Sequence, residues 1–251
     1  MMEIKYKKTK GLTDTPLSYC PGCTHGLIHK LVAEVLEELG ALPDAVGVAS
    51  VGCSVFSYKF FECDSVQAAH GRACAVATGI KRNLPDNVVF TYQGDGDLAS
   101  IGIAETIHAA NRGENITVIF VNNAIYGMTG GQMAPTTLLG QKTTTSPMGR
   151  NPQVHGSPLH VSEMLSQIER VAYLERVSVF NPRQVRNAKN AIRKAFTYQI
   201  EKKGFTLIEV LSSCPVNWGM TPVEALKWIE EKMVPVFPLK VFKDAEAENH
   251  V

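Results

Sequence analysis

Apolar residues along this chain keep two rhythms, a spacing of about 3.6 residues and short unbroken runs, and the two alternate. Leu27, Ile28, Leu31, Val32, Val35, Leu36 and Leu39 recur at helical spacing and are closed by Gly40, which predicts an amphipathic helix over 27–39. The run AVGVASVG over 45–52 reads as a strand, and the small residues from Ala73 to Gly79 suit a helix pressed closely on a sheet. The cycle then repeats. Val88, Val89 and Phe90 mark a buried strand over 88–92, Ile101, Ile103, Ala104, Ile107 and Ala110 mark a helix, and ITVIFVNN over 116–123 is the next strand. A strand over Tyr173–Val179, an amphipathic helix in the stretch 181–204 and a last buried strand in FTLIEVL complete the pattern. Strands alternating with helices predict an α/β fold with a doubly wound, mostly parallel sheet.

Two stretches break the rhythm. From Tyr126 to Pro158 the chain is rich in Gly, Thr, Pro, Ser and Met, and so long an irregular segment inside a compact unit is expected to be functional. After Trp218 the pattern is helical near Glu224–Lys232, then polar and punctuated by proline. A single domain over 1–251 is expected, without internal repeats.

Charge narrows the classes. The 25 Lys and Arg against 24 Asp and Glu leave a formal charge of +1, and no basic block stands out, so nucleic acid and anionic membrane surfaces are not expected partners. The charged N-terminus lacks an apolar core, and no run of about 18 apolar residues occurs, which predicts a cytoplasmic protein. In that reducing compartment the six cysteines, at 20, 23, 53, 63, 74 and 214, are expected to bind metal, to react or simply to be buried.

Chemistry concentrates where strands end. Asp95 follows the strand 88–92 within QGDGDLASIG, and Asn122 and Asn123 follow the strand 116–121. In an open parallel sheet ligands sit beyond the carboxyl ends of strands. A carboxylate and an amide there suit Mg²⁺, which is commonly held by one or two protein oxygens together with phosphate and water. The glycines let the backbone approach a phosphate, and the following helix offers its N-terminal amides. Together these features resemble the thiamine-diphosphate motif, Gly-Asp-Gly followed by Asn-Asn about one βαβ unit later. That resemblance implies Asp95, the side chain of Asn123 and the carbonyl of Ile125 as Mg²⁺ ligands, and Gly96, Asp97, Gly127 and Met128 along the diphosphate.

The pair Cys20 and Cys23 in CPGC has metal-ligand spacing. Zinc would need two more ligands, for which Cys53 and Cys214 are candidates, while Cys63 and Cys74 read as ordinary buried thiols. Nearly the whole chain, through CPGCTHG, VGCS, AAHGRA, GDGD, NNAIYGMTGGQMAPTT and SSCPVNWG, resembles the thiamine-binding β subunits of 2-oxoacid:ferredoxin oxidoreductases. The resemblance implies one [4Fe-4S] cluster on Cys20, Cys23, Cys53 and Cys214, with Val51, Gly52, Cys53, Ser54 and His70 against the cofactor. It also implies thiamine-dependent oxidative decarboxylation of a 2-oxoacid, electrons leaving for ferredoxin and the acyl group passing to coenzyme A. The family places the glutamate that activates thiamine on the α subunit, so no catalytic residue is expected here and a hetero-oligomer is, with γ or δ subunits as further partners.

Val55, Phe56, Tyr58, Phe60 and Phe61 follow Cys53 with Lys59 as their only cation. If they border the substrate, 2-oxoisovalerate is favoured over 2-oxoglutarate, whose second carboxylate wants a positive partner. Two rivals remain: a non-redox thiamine decarboxylase subunit, which leaves the cysteines idle, and a non-catalytic metal-binding electron-transfer subunit, which leaves the diphosphate cradle idle.

Overall fold

The computed structural model describes residues 7–248. Seven strands, β1 (Ala45–Ala49), β2 (Asp64–Gln67), β3 (Val88–Gly94), β4 (Thr117–Asn122), β5 (Val171–Ser178), β6 (Phe205–Leu211) and β7 (Lys240–Asp244), form one sheet in the order β2-β1-β3-β4-β6-β5-β7. All neighbours run parallel except β7, which lies antiparallel to β5. Strands β1, β4 and β6 are buried along their whole length, as expected of strands covered on both faces.

Helices cover the two faces. On one side α1 (His25–Glu38) and the long α4 (Pro182–Ile200) pack through Ile28, Val32, Leu36, Ala188 and Ile192 against Phe90 and Tyr92 of β3. On the other, α2 (Ala73–Asn83) and α3 (Ile103–Arg112) bring Ala73, Ala77, Ala109 and Ala110 onto Val89 and Phe120. Alternate residues of one strand thus feed opposite cores. The small side chains of α2 and α3 let those helices approach the sheet closely.

From β1 the chain first adds β2 on one side and then β3 on the other. Loops leaving β1 and β3 therefore diverge, and a crevice opens between the carboxyl ends of these two strands.

Two elements depart from the sequence reading. The edge strand β2 falls between the aromatic run that follows Cys53 and the helix of small residues, where no element is expected, and β7 falls in the polar tail. Every residue of β2 is exposed and β7 is exposed or half-buried throughout, and without a buried face neither carries the apolar run that marks a strand. The expected helix near Glu224 begins earlier, at Pro222, where Thr221 and Glu224 form a reciprocal cap, and widens into a looser turn over Ile229–Met233.

One charged cluster is buried in the sheet. Arg176 of β5 and Glu209 of β6 are register partners, and Arg176 Nε meets Glu209 Oε2 at 2.8 Å with both side chains essentially inaccessible. The guanidinium forks onto Glu163 at 2.9 and 2.6 Å, and Glu209 also accepts from Ser162 and, at 2.8 Å, from Asn122 Nδ2. Replacing Arg176 by Met strands the buried Glu209 carboxylate. Such a loss is expected to cost about 3–5 kcal/mol in chemical denaturation, whereas Lys227→Ala, on an exposed i,i+4 pair, is expected to change stability by under about 0.5 kcal/mol.

Candidate functional site

The crevice predicted by the topology is a cavity of about 110 Å³. Val51, Gly52, Cys53 and Ser54 line it from the loop after β1, and Gly94 to Asp97 from the loop after β3. Asn123, Ile125, Tyr126, Gly127, Met128 and Thr129 enter from the segment after β4, and His70 from the loop before α2. Every residue that the sequence placed at the diphosphate or its cation thus reaches one cavity.

Asp95 is its electrostatic centre. The side chain is buried, Oδ1 accepts from the backbone N–H of Gly96 at 2.8 Å, and Oδ2 accepts from Ile125 N–H at 3.2 Å and Thr136 Oγ1 at 2.7 Å. Burial raises this carboxyl from 3.8 to about 6, while the bonds from Thr136, Gly96 and Ile125 pull the other way. No cationic side chain compensates the charge among the residues lining the cavity.

Asn123 supplies a complementary signal. Its Oδ1 is buried without a hydrogen-bond partner, a state that polar atoms in protein interiors rarely keep. An amide oxygen with free lone pairs beside a buried carboxylate is a donor set for a hard cation. Asn122, by contrast, is spent on structure: Nδ2 is held by Glu209, and Oδ1 accepts from Ala124 N–H at 3.1 Å. That bond sits on a left-handed residue, since Ala124 has φ 57° and is fully buried. Backbone strain of this kind persists where surroundings over-determine it, and here it precedes Ile125, whose N–H reaches Asp95.

Asp97 lines the cavity, yet its carboxylate is already occupied. Oδ1 accepts from His70 Nδ1 at 2.6 Å and Gly71 N–H at 2.7 Å, and Oδ2 accepts from Gln93 Nε2 at 2.7 Å. A carboxylate can only accept, so Nδ1 is the donating nitrogen of this pair. Asp97 therefore orients His70. The glycines are close-contact residues: a Cβ on Gly71 would lie 2.7 Å from Gly102 N, and one on Gly96 would lie 2.1 Å from the ring of Tyr126. Gly96 thus makes room for an aromatic ring as well as lining the cradle.

Behind this wall lies a second cavity of about 200 Å³, lined by Cys20, Cys23, Cys53 and Cys214 together with Tyr19 and Phe56. His25, Cys53, Asn123, Gly127 and Met128 border both cavities. No three His, Cys, Asp or Glu side chains converge on a single-ion site among the described residues. Burial raises Cys23 to about 12 and Cys53 to about 11, so as bare thiols they stay protonated at neutral pH. Cys63 and Cys74 lie elsewhere, Cys74 wholly buried in α2 with its sulfur 3.3 Å from Gln93 Oε1.

The aromatic run after Cys53 splits. Phe60 and Phe61 are core residues, Tyr58 is exposed, and Lys59 sits 5.3 Å over the Phe56 ring at the surface. Of that run only Phe56 lines either of these two cavities, so the core residues Phe60 and Phe61 drop out as substrate contacts.

Thr136, Thr137, Gln141 and Arg150 escaped the sequence reading. Thr137 and Gln141 donate to the carbonyl of Ala124, and Arg150, almost fully buried, donates to six backbone carbonyls, those of Ala134, Pro135, Thr137, His155, Gly156 and Ser157. The stretch carries two cations, Lys142 and Arg150, and no acid, and nothing local marks which of the two is buried.

A titration tests the charge on Asp95. The folded chain holds its proton more tightly than the unfolded one, so the contribution to stability is complete below pH about 3.8 and is lost as pH rises through about 6. In the cation-free protein Asp95→Asn is expected to gain about 3 kcal/mol relative to the parent between pH 4 and 7, read from paired denaturation curves. Saturating Mg²⁺ should abolish that gain.

Comparison with known proteins assigns the fold. Residues 50–210 match the family described as thiamine pyrophosphate enzyme, C-terminal TPP binding domain. The ketoisovalerate oxidoreductase subunit VorA of Methanothermobacter thermautotrophicus is 50% identical over 244 residues, 97% of this chain and 51% of that protein. The chain thus spans about half the length of this relative. The 2-oxoglutarate synthase subunit KorB of Methanocaldococcus jannaschii is 35% identical, with 99% of this chain and 88% of that one covered. Among solved structures, the 2-oxoglutarate:ferredoxin oxidoreductase of Magnetococcus marinus, with 2-oxoglutarate, coenzyme A and succinyl-CoA bound, superposes with a TM-score of 0.75 at 28% identity, over 84% of this chain and 69% of that one. On these grounds the chain belongs to the thiamine pyrophosphate-binding subunits of the 2-oxoacid:ferredoxin oxidoreductases.

Proposed function

We propose that this chain is the thiamine diphosphate- and cluster-bearing β subunit of an enzyme that oxidatively decarboxylates a 2-oxoacid to its acyl-CoA and reduces ferredoxin. The observation that carries the reading is the orphaned, buried Oδ1 of Asn123 beside Asp95, on a wall shared with the cavity of four thiols. Asp95, Asn123 and the carbonyl of Ile125 would hold Mg²⁺, and Gly96, Gly127 and Met128 would flank the diphosphate. His70, oriented by Asp97, and the stretch Val51–Ser54 would border the rest of the cofactor. Cys20, Cys23, Cys53 and Cys214 would hold a [4Fe-4S] cluster, whose iron supplies the positive charge that buried thiolates need.

Bound thiamine supplies the carbanion chemistry; the residues of this chain bind, orient and exclude water. A cavity of about 110 Å³ is smaller than the roughly 300 Å³ at which ligand pockets usually begin. This supports an α subunit that closes the site and brings the activating glutamate. A single domain over 1–251, a cytoplasmic location and partnership with ferredoxin and coenzyme A complete the proposal. Among the described residues no helix is long and apolar enough to cross a membrane.

Among 2-oxoacids we favour 2-oxoisovalerate, then 2-oxoglutarate. Among the described residues neither cavity is lined by a lysine or arginine, so this chain offers no partner for a second substrate carboxylate.

Anaerobic purification with copurifying subunits is expected to yield thiamine diphosphate and four irons with matching sulfide assigned to this chain, and 2-oxoisovalerate should drive ferredoxin reduction in the presence of coenzyme A. Thiamine without iron or sulfide on this chain would instead support a non-redox decarboxylase subunit. Asn123→Ala is expected to weaken Mg²⁺-dependent thiamine diphosphate binding at least about tenfold, measured by calorimetric titration, with iron content unchanged.

A further inference from the structure

The four thiols are not equivalent. Asn217 Nδ2 donates to Cys214 Sγ at 3.3 Å and to the carbonyl of Gly127 at 2.9 Å, and the backbone N–H of Asn217 also reaches the sulfur. Among the described residues, no side-chain hydrogen bond reaches the sulfur of Cys20, Cys23 or Cys53. The amide belongs to the short turn of helix Pro215–Trp218 that opens directly after Cys214.

Its orientation follows from its partners. A backbone carbonyl can only accept, so the amide nitrogen must face Gly127, and its second hydrogen is then directed at the sulfur. Two glycines enclose the group. A Cβ on Gly127 would stand 3.5 Å from Cys214 Sγ and 3.8 Å from Asn217 Nδ2, and one on Gly131, whose φ is +83°, would stand 3.1 Å from Asn217 Oδ1. A side chain at Gly131 would crowd the amide, whereas a Cβ at Gly127 would meet it at ordinary contact distance.

Hydrogen bonds to ligating sulfur are among the levers that set a cluster's reduction potential. Reduction adds an electron, so the reduced state places more negative charge on its sulfurs, and a donor aimed at one of them stabilises that state more than the oxidised one. Building on the assignment of the four thiols as cluster ligands, we propose that Asn217 is a positioning residue that fixes Cys214 as a ligand and raises the reduction potential of the cluster. The same amide braces the Gly127 carbonyl on the wall of the thiamine cavity, so one side chain serves the geometry of both cavities.

The test is an anaerobic redox titration of the assembled complex, followed by electron paramagnetic resonance, comparing the parent with Asn217→Leu, Asn217→Asp and Asn217→Gln. With Leu, which keeps the bulk and removes the side-chain donors, the reduced-to-oxidised ratio at a fixed solution potential is expected to fall about tenfold, equivalent to about 59 mV for one electron. Asp, which also adds charge, should lower it at least as far, and Gln, which keeps an amide, should lie closer to the parent. If Leu disturbs assembly, the nearly isosteric Asp and the amide Gln carry the comparison. A cluster with the parent's potential in the Leu and Asp variants would overturn the role of Asn217 while leaving the cluster assignment standing. A parent complex without iron and sulfide on this chain would overturn both.

Discussion

Two loops end on one carboxylate, one of them through two of its residues. Asp95 receives Gly96 N–H from its own loop, Ile125 N–H from the segment after β4 and Thr136 Oγ1 from the long irregular stretch. A charge buried in this way is tolerated only with hydrogen bonds and an opposite charge. The protein supplies the bonds, and the free oxygen of Asn123 lines the same cavity, where the proposed cation would sit. Loop positions and cavity shape are therefore one constraint.

The sheet beneath transmits rigidity to that point. Arg176 holds Glu209, Glu209 holds Asn122, and Asn122 holds the left-handed turn at Ala124 from which Asn123 and Ile125 depart. Each link is buried and fully partnered, the condition under which polar networks specify one geometry. The two glutamates and the arginine lie in different strands and a short helix, so the relay exists only once β5 and β6 have paired.

Much of this was legible beforehand because the chemistry sits at strand ends, where periodicity changes. GDGD and NN stand out as polar breaks after apolar runs, and the cavity collects the residues expected there. The strands β2 and β7 were not legible, since exposed edges need no apolar face. Nor were Thr136 and Arg150: their roles come from contacts across long loops, and a threonine in a Thr-rich stretch carries no local mark. Asp97 shows a subtler limit. Its place at the cavity was foreseeable, but its saturation by His70, Gly71 and Gln93 depends on a loop that precedes it in sequence by more than one element.

Arg150 changes what the irregular stretch can be. A flexible lid needs backbone groups that can trade partners with water at little cost; this segment has six carbonyls committed to one buried guanidinium, and releasing them would strand a cation in the interior. The segment behaves as masonry rather than as a door. Entry and exit of small molecules are then controlled from the open side of the crevice, by whatever surface is laid across it.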